Sequence, residues 1–267
     1  MIKVKRILPR VGLFCLMVLV GLICFYPMVS LLFNSVLEPN YLPREILSRI
    51  SHFSLGQYYE SLFENSKFLR GLLNSAFMAF SITLGQIAIS IPAAFALEKY
   101  KIPGKEILFG VYLILVLLPY QVLQLPHYLL MKEWELMDTQ ISIILPNIFA
   151  TIGVCILRQG MRYVDNSVLD AAKIDGCGDF RLLSKMAIPS AAPSIVAAAL
   201  LIFLDSWNMV EAPKIFLTSV DKMPISVIFT SASGTGRNYA MGVLCLIIPF
   251  LLFGLFAEKL KSFIDTV

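Results

Sequence analysis

The sequence predicts an all-α integral membrane protein with six transmembrane helices and a cytoplasmic helix–glycine–helix loop before the fifth. Three observations lead there. Hydrophobic residues make up 58% of the 267 positions and charged residues only 15%, whereas a soluble domain carries about 25% charge. The apolar residues come in blocks, and two of these, Val11–Val36 and Leu72–Leu97, contain no charge at all. Each block exceeds the roughly 20 residues needed to cross a bilayer core, and backbone in lipid must bond internally, which selects helix.

The first span is 11–36. The basic stretch before it (Lys3, Lys5, Arg6, Arg10) has the look of a signal peptide. The apolar run, however, passes well beyond a core of about 7–15 residues, and no A-x-A site ends it. We expect a retained span. The second is 72–97. The third and fourth, 107–130 and 140–157, contain Pro119, Pro126 and Pro146. Proline removes a donor and kinks a helix, and broken helices around a cavity are common in transporters. The fifth and sixth are 191–212 and 239–257. Between the fourth and fifth lies the loop 158–190, and a single membrane domain is expected over 1–267.

Lysine and arginine set the orientation. With the N-terminus inside, the cytoplasmic side holds fourteen: Lys3, Lys5, Arg6, Arg10, Lys99, Lys101, Lys105, Arg158, Arg162, Lys173, Arg181, Lys185, Lys259 and Lys261. The outer side holds the other eight. Both termini are therefore expected in the cytoplasm of a bacterial or archaeal cell. The net charge of +4 is too small to point to nucleic acid. The five cysteines form no CxxC pair and four lie in apolar blocks, so neither a disulfide framework nor a zinc site is indicated. His52 and His127 are isolated, and no metal is expected.

The loop carries the most specific pattern. In S-V-L-D-A-A-K-I-D-G-C-G-D-F-R-L-L-S-K-M-A-I-P-S, Ser167–Ser190, Ser167 and Asp170 fit a capping box, so a helix starts at Ser167. Ala171, Ala172 and Ile174 give it a small apolar face. Gly176 accepts the left-handed conformation that ends a helix. Asp179 caps a second helix, Phe180–Ala187, with Leu182, Leu183 and Met186 on one stripe, and Pro189 terminates it. By spacing alone the stretch is equally an amphipathic linker resting on the bilayer.

This loop resembles the E-A-A–x3–G–x9–I-x-L-P pattern of ABC-importer permeases, through Asp170, Ala171, Ala172, Gly176, Ile188 and Pro189. Asp170 replaces the family's glutamate, and Cys177 its usual alanine. Asn74–Ser75, A-A-F-A-L-E-K-Y-K-I-P-G-K at Ala93–Lys105, Leu118–Leu130, Ile144–Pro146, Leu157–Gln159, Trp207–Asn208 and Met223–Ser226 are similar to the carbohydrate branch and its smaller, maltose-type permease subunit. The resemblance implies a type I importer permease fold. It also implies a loop that docks on a separate ATPase, where a short rigid helix and small alanines allow close contact. The implied partners are a second permease of the same family, two ATP-binding cassette subunits and an extracytoplasmic solute-binding protein. No cofactor is implied for this chain, since ATP is used by a partner.

The chain contains no G-x-x-x-x-G-K-[ST] phosphate loop. G-T-G-R at Gly234–Arg237 lacks the lysine and is expected to be a turn. No catalytic constellation is present. For the translocation path, Asp205 is the one acid well inside a span, where a carboxylate costs roughly 2.5–3.5 kcal/mol. Asn208 follows at i+3, with Trp207 and Glu211 nearby. Amides and carboxylates bond sugar hydroxyls, and an aromatic ring stacks on a sugar. Equally, Asp205 pairs with a partner permease and Trp207 belongs to the aromatic belt. Tyr120, Gln121 and Gln124 beside Pro119 are comparable candidates. Gln86 and Asn147 are expected to bond between helices. The function expected is inward passage of a sugar or oligosaccharide. The rivals are a permease for another small solute such as a polyamine, an ion-coupled transporter and a membrane-embedded enzyme.

The basic asymmetry yields a topology test. Cysteine probes in Leu37–Gly71 and Pro213–Asn238 should react with an impermeant reagent from outside, and a probe in Val168–Lys185 should not. Outside labelling of the latter would overturn the six-span orientation.

Overall fold

A helix that is apolar on every side has no single face to bury, and the first helix behaves accordingly. The computed structural model describes residues 2–38, 52–231 and 237–264. In α1 (Ile2–Ser35) the side chains of Leu13, Phe14, Leu22, Ile23, Phe25 and Tyr26 are all exposed, a surface that only lipid or another apolar partner can cover. The short α2 (Gly56–Tyr59) and a π-helical turn, Glu60–Glu64, secure its end. The buried Gln57 donates to the carbonyls of Asn34 and Leu37 at 3.0 and 2.8 Å. These elements belong to one packed unit, Met1–Leu69 with Phe229–Ile247; the other is Arg70–Ile228 with Ile248–Val267. G-T-G-R begins in 232–236, outside the described residues.

The second unit is built along α3 (Ser66–Lys99), an unbroken helix of 34 residues. Further elements are α4 (Lys105–Leu117), α5 (Tyr120–Glu133), α6 (Ile141–Ile148), α7 (Ile152–Arg162), α8 (Asn166–Ile174), α9 (Asp179–Leu182), α10 (Ile188–Ser190), α11 (Ala192–Trp207), α12 (Glu211–Phe216), α13 (Ile225–Ser231) and α14 (Arg237–Ile264). Two apolar clusters lie towards the two ends of α3. One joins Met78 and Ile82 to Met131, Ile143, Ile202 and Phe216. The other joins Ala94 and Phe95 to Leu157, Met161, Leu169, Leu182 and Ala198. Ile87, near the middle of α3, packs against both.

Among the described residues, four helices are long and apolar enough to cross a membrane: Leu13–Ser35, Ser66–Lys99, Ile141–Arg162 and Tyr239–Glu258. Two bent pairs, Lys105–Leu117 with Tyr120–Glu133 and Asp179–Ser190 with Ala192–Trp207, bring the number to six if each counts as one span. The prolines act more strongly than expected in the third span. Its halves meet at 95°, because a residue before proline is pushed out of the helical region and Leu118 is extended at ψ 129. The fourth is interrupted at 149–151, and the fifth ends at Trp207, so Ala212 belongs to α12 instead.

Freed backbone at these breaks finds partners. Gln86 on α3 donates to the carbonyl of Ala150 in the α6–α7 break at 2.9 Å, as an interhelical amide was expected to do. Asn147 differs: it donates within its own helix, to Ile143 at 2.8 Å. Small residues let α7 approach both neighbours. A Cβ on Gly153 would lie 2.5 Å from Ser90 Oγ of α3, and one on Gly160 2.3 Å from Ser194 Cβ of α11.

Arg158 on α7, only 2% exposed, ties three helices together. Its Nε donates to Glu98 of α3 at 3.0 Å, its Nη2 to Glu106 of α4 at 2.7 Å, and its guanidinium lies 4.0 Å over the Phe109 ring. Losing Arg158 removes two charge-assisted hydrogen bonds and leaves Glu98 only the longer pair with Arg162 at 3.5 Å. Arg158→Ala should therefore lower stability by about 2 kcal/mol, read as a fall in apparent Tm of the detergent-solubilised chain, with Arg158→Lys falling less. An unchanged Tm would show that the pair carries no net stability.

Candidate functional site

The loop before α11 forms a sharp elbow, and each of its turns has a local cause. Its first helix starts earlier than the capping box suggested. Asp165, not Ser167, is the cap: its carboxylate accepts from the Ser167 N–H at 2.8 Å. Both residues fit a capping pattern, but only Asp165 has the extended backbone a cap requires, at ψ 127. The Ser167 N–H holds the Asp165 carboxyl below its ordinary range. That contribution is complete above the unfolded carboxyl value and is lost as pH falls through the lowered folded one.

Helix α8 ends as the sequence indicates. Gly176 has φ +81. Its N–H bonds the Lys173 carbonyl at 3.0 Å, and the Cys177 N–H bonds that of Ala172 at 2.9 Å. This pair of bonds is the Schellman arrangement. The second arm begins at Asp179, with Gly178 as its cap. Asp179 is thus free for another task, and its carboxylate accepts from the Tyr100 hydroxyl. Nor does Pro189 terminate this arm. The chain runs through a π-helical turn, Leu183–Ala187, and through α10, bending by 79° into α11. Proline is tolerated there because it occupies the first turn of a helix.

The two alanines of the motif part ways. Ala172 is buried with Leu169 in the cluster below, and Ala171 is exposed beside Val168 and Asp170. Leu182, Leu183 and Met186 pack inwards as one stripe, as expected. Ile188 is half-buried and Pro189 exposed. The sequence reading grouped Ile174 with Ala171 and Ala172 on one small apolar face. The structure turns it outwards at 87% exposure, and Phe180 stands 82% exposed across the glycine from it. Phe180 was not singled out, although it lies off the Leu182–Met186 stripe within the polar run D-F-R.

Three consecutive residues at the end of α3 hold the elbow from beneath. Glu98 pairs with Arg158 and, at 3.5 Å, with Arg162. Lys99 Nζ donates to the Val164 carbonyl at 2.6 Å and to Asn166 Oδ1 at 2.9 Å. Tyr100 reaches Asp179, and its ring takes Lys173 Nζ at 5.4 Å. Burial and the Asp179 carboxylate push the Tyr100 phenol up to about 12, so it remains a donor at any physiological pH.

The translocation candidates separate. Asp205 and Asn208 are exposed, and Asn208 Nδ2 donates to the Leu204 carbonyl at 2.8 Å. Gln121 donates to Glu211 at 3.0 Å, so these two meet although they lie on different helices. Tyr120 and Gln124 are half-buried, Tyr120 against the cluster around Phe216. Trp207 offers no stacking face: it is 5% exposed and stacked on Phe203 at 5.6 Å. Towards the other end of α3, Asn74 donates to the carbonyls of Asp221 and Met223 at 2.8 and 3.1 Å, and Ser75 accepts from the Ile225 N–H at 2.9 Å. Asp138, missed in the sequence, accepts from the Thr218 and Ser219 N–H groups at 2.9 Å each and from Lys222 at 3.0 Å. The Ser219 hydroxyl and these donors hold its carboxyl far below the ordinary range. Among the described residues no cluster of His, Cys, Asp or Glu is arranged to hold a metal ion.

Comparison with known proteins places this geometry. The family model described as binding-protein-dependent transport system inner membrane component matches residues 86–266. The arabinooligosaccharides transport system permease protein AraQ of Halalkalibacterium halodurans is 28% identical over 90% of this chain and 88% of its own. The sn-glycerol-3-phosphate transport system permease protein UgpE of Escherichia coli is 29% identical over 59% of this chain and 56% of its own. Among solved structures, a chain of a bacterial ABC transporter that imports the acidic polysaccharide alginate superposes with TM-score 0.77 at 19% identity, covering 95% of this chain and 96% of that one. A chain of the MetNI methionine transporter gives 0.59 at 15% identity, covering 73% and 95%.

A side chain at Gly176 would meet no atom of this chain within 4 Å, so the penalty is the backbone alone. Gly176→Ala should cost about 1 kcal/mol, and Gly176→Asn less, because asparagine tolerates the left-handed region. Thermal melts of the two variants check this; equal Tm values would show that the glycine is not conformationally required.

Proposed function

Because the chain belongs to the family of binding-protein-dependent transport system inner membrane components, we propose that it forms half of the path for a neutral sugar or oligosaccharide and is driven through its elbow. It is a multi-pass inner membrane permease subunit of an ABC importer and not itself an enzyme. The observation that carries the reading is the elbow: a rigid double turn, closed by Gly176, that presents Ile174, Phe180 and Ala171 outwards. Exposed side chains this apolar, standing on a polar connector, call for a cover. In this reading the cover is the ATPase. Asp170, Ala171, Gly176 and Pro189 lie on the side it meets, and Ala172 and Ile188 brace the elbow from below. Closure of an ATPase dimer around nucleotide then biases the permease between two states. The assembly holds a second permease, two ATPase subunits and an extracytoplasmic binding protein, and both termini of this chain lie in the cytoplasm.

For the solute, Glu211, Gln121, Asp205 and Asn208 supply carboxylates and amides, partners for sugar hydroxyls. A phosphate calls for arginine or lysine, and none of these four side chains is cationic. The relative at 28% identity is named for arabinooligosaccharides, which accords with a neutral sugar. The same carboxylates also suit a polyamine, the second reading.

Two experiments test these roles in the reconstituted transporter. Gly176→Asp, and to a lesser degree Asp170→Lys, should detach or uncouple the ATPase while the membrane domain still inserts. Wild-type ATPase retention and substrate-stimulated hydrolysis in both would refute the elbow's role. Asp205→Asn should lower uptake of labelled oligosaccharide by about tenfold, as loss of a charged hydrogen-bond partner does, with assembly intact. Normal uptake would remove Asp205 from the path, and loss of the complex would make it a structural residue. Uptake of a polyamine in place of the sugar would decide for the second reading.

A further inference from the structure

An elbow that receives force at one end must hand it on, and the covalent route runs only through α7 on one side and α11 on the other. The structure offers a further route. Glu98, Lys99 and Tyr100 at the end of α3 each grip a different part of the elbow. Glu98 takes the last turn of α7 through Arg158 and Arg162. Lys99 takes the α7–α8 link through Val164 and Asn166. Tyr100 takes the start of α9 through Asp179, and the end of α8 through Lys173. Each grip is polar and directional, and the apolar contacts of Phe95 and Ala94 with Leu169, Ala172 and Leu182 lie in the same cluster.

We infer that Glu98, Lys99 and Tyr100 are positioning residues that make the elbow and the end of α3 one rigid body, so that movement of the elbow displaces α3 directly. The inference rests on the coupling role proposed above and adds the helix that receives the stroke. Its reach follows from the length of α3. The helix stays continuous over 34 residues although Pro92 lies inside it, whereas the helices around it are bent or interrupted near their prolines. At its other end Asn74 and Ser75 hold the segment Asp221–Ile225. A displacement at Lys99 and Tyr100 is therefore carried to that segment along one continuous helix. Coupling by a discrete chain of packed and hydrogen-bonded groups needs such continuity.

A structural role alone would weaken assembly; a transmission role changes the solute moved per ATP hydrolysed. Tyr100→Phe removes only the hydroxyl that donates to Asp179. In the complete transporter with its binding protein, Tyr100→Phe and Asp179→Ala should each keep ATPase subunits at wild-type stoichiometry. Each should lower the solute-to-ATP ratio by about three- to tenfold, the range expected for one solvent-exposed hydrogen bond. The double variant should be no worse than either single, and Asp179→Asn, which still accepts the bond, should restore most of the ratio. Spin labels at the exposed Lys101 and Arg181 should keep the same separation with and without ATP. A wild-type ratio in both single variants, additive losses in the double, or a nucleotide-dependent change in label separation would each overturn the inference. So would loss of the ATPase subunits from Tyr100→Phe, because the residue would then act on docking. Failure of the coupling role itself shows separately, as unaltered hydrolysis and retention in Gly176→Asp.

Discussion

A full positive charge at the end of a membrane helix, almost wholly removed from water, is the constraint around which this end of the protein is organised. Arg158 must be neutralised where it stands, and the two carboxylates that do so come from α3 and α4. Two helices that are not consecutive with α7 in the chain are thereby fixed against it. The planar guanidinium suits this task better than an ammonium, since it bonds two acids in its plane while its face lies on the Phe109 ring. Whether such a pair adds stability over an apolar substitute is secondary; it specifies which helix ends meet.

The cost of leaving a polar group unpaired in an apolar medium also shapes the breaks. Where α6 stops short of α7, Gln86 answers a freed carbonyl. Where α8 must stop, Gly176 lets the chain fold its own N–H groups back onto the last carbonyls. The interruptions are local and satisfied, so they serve as defined joints instead of frayed ends. The unbroken α3 runs past them all.

Much of this was legible in the sequence. All spans but the fifth appear as charge-free blocks, and Gly176 was identifiable because a helix that must stop sharply needs a residue free of the Cβ penalty. The packed stripe Leu182–Leu183–Met186 followed from its spacing. What escaped was set by tertiary context. Two overlapping cap patterns at Asp165 and Ser167 look alike until backbone geometry separates them. Ile174 and Phe180 are apolar letters whose outward aim depends on which side of the elbow is covered. Trp207 beside Asp205 and Asn208 looked like a solute-stacking ring, yet Phe203, one turn earlier on the same helix, takes its face. The A-L-E-K-Y run was read as a resemblance and as basic charge, but its three separate grips depend on elements about 60 to 80 residues further along the chain.

The close approach of α7 to α11 has a meaning for descent as well as for packing. A methyl group on Gly160 would fall 2.3 Å from the Cβ of Ser194, an atom fixed by its own backbone. No rotamer change can relieve that clash, so the helices themselves would have to part, and Arg158, two residues before Gly160 on α7, would be drawn away from its acids. Drift at this point is therefore confined. A larger residue at 160 requires α11 to settle at a new spacing, and with it the 79° bend that leads into the elbow. A chain that is to keep the elbow's angle must therefore keep a small residue at 160.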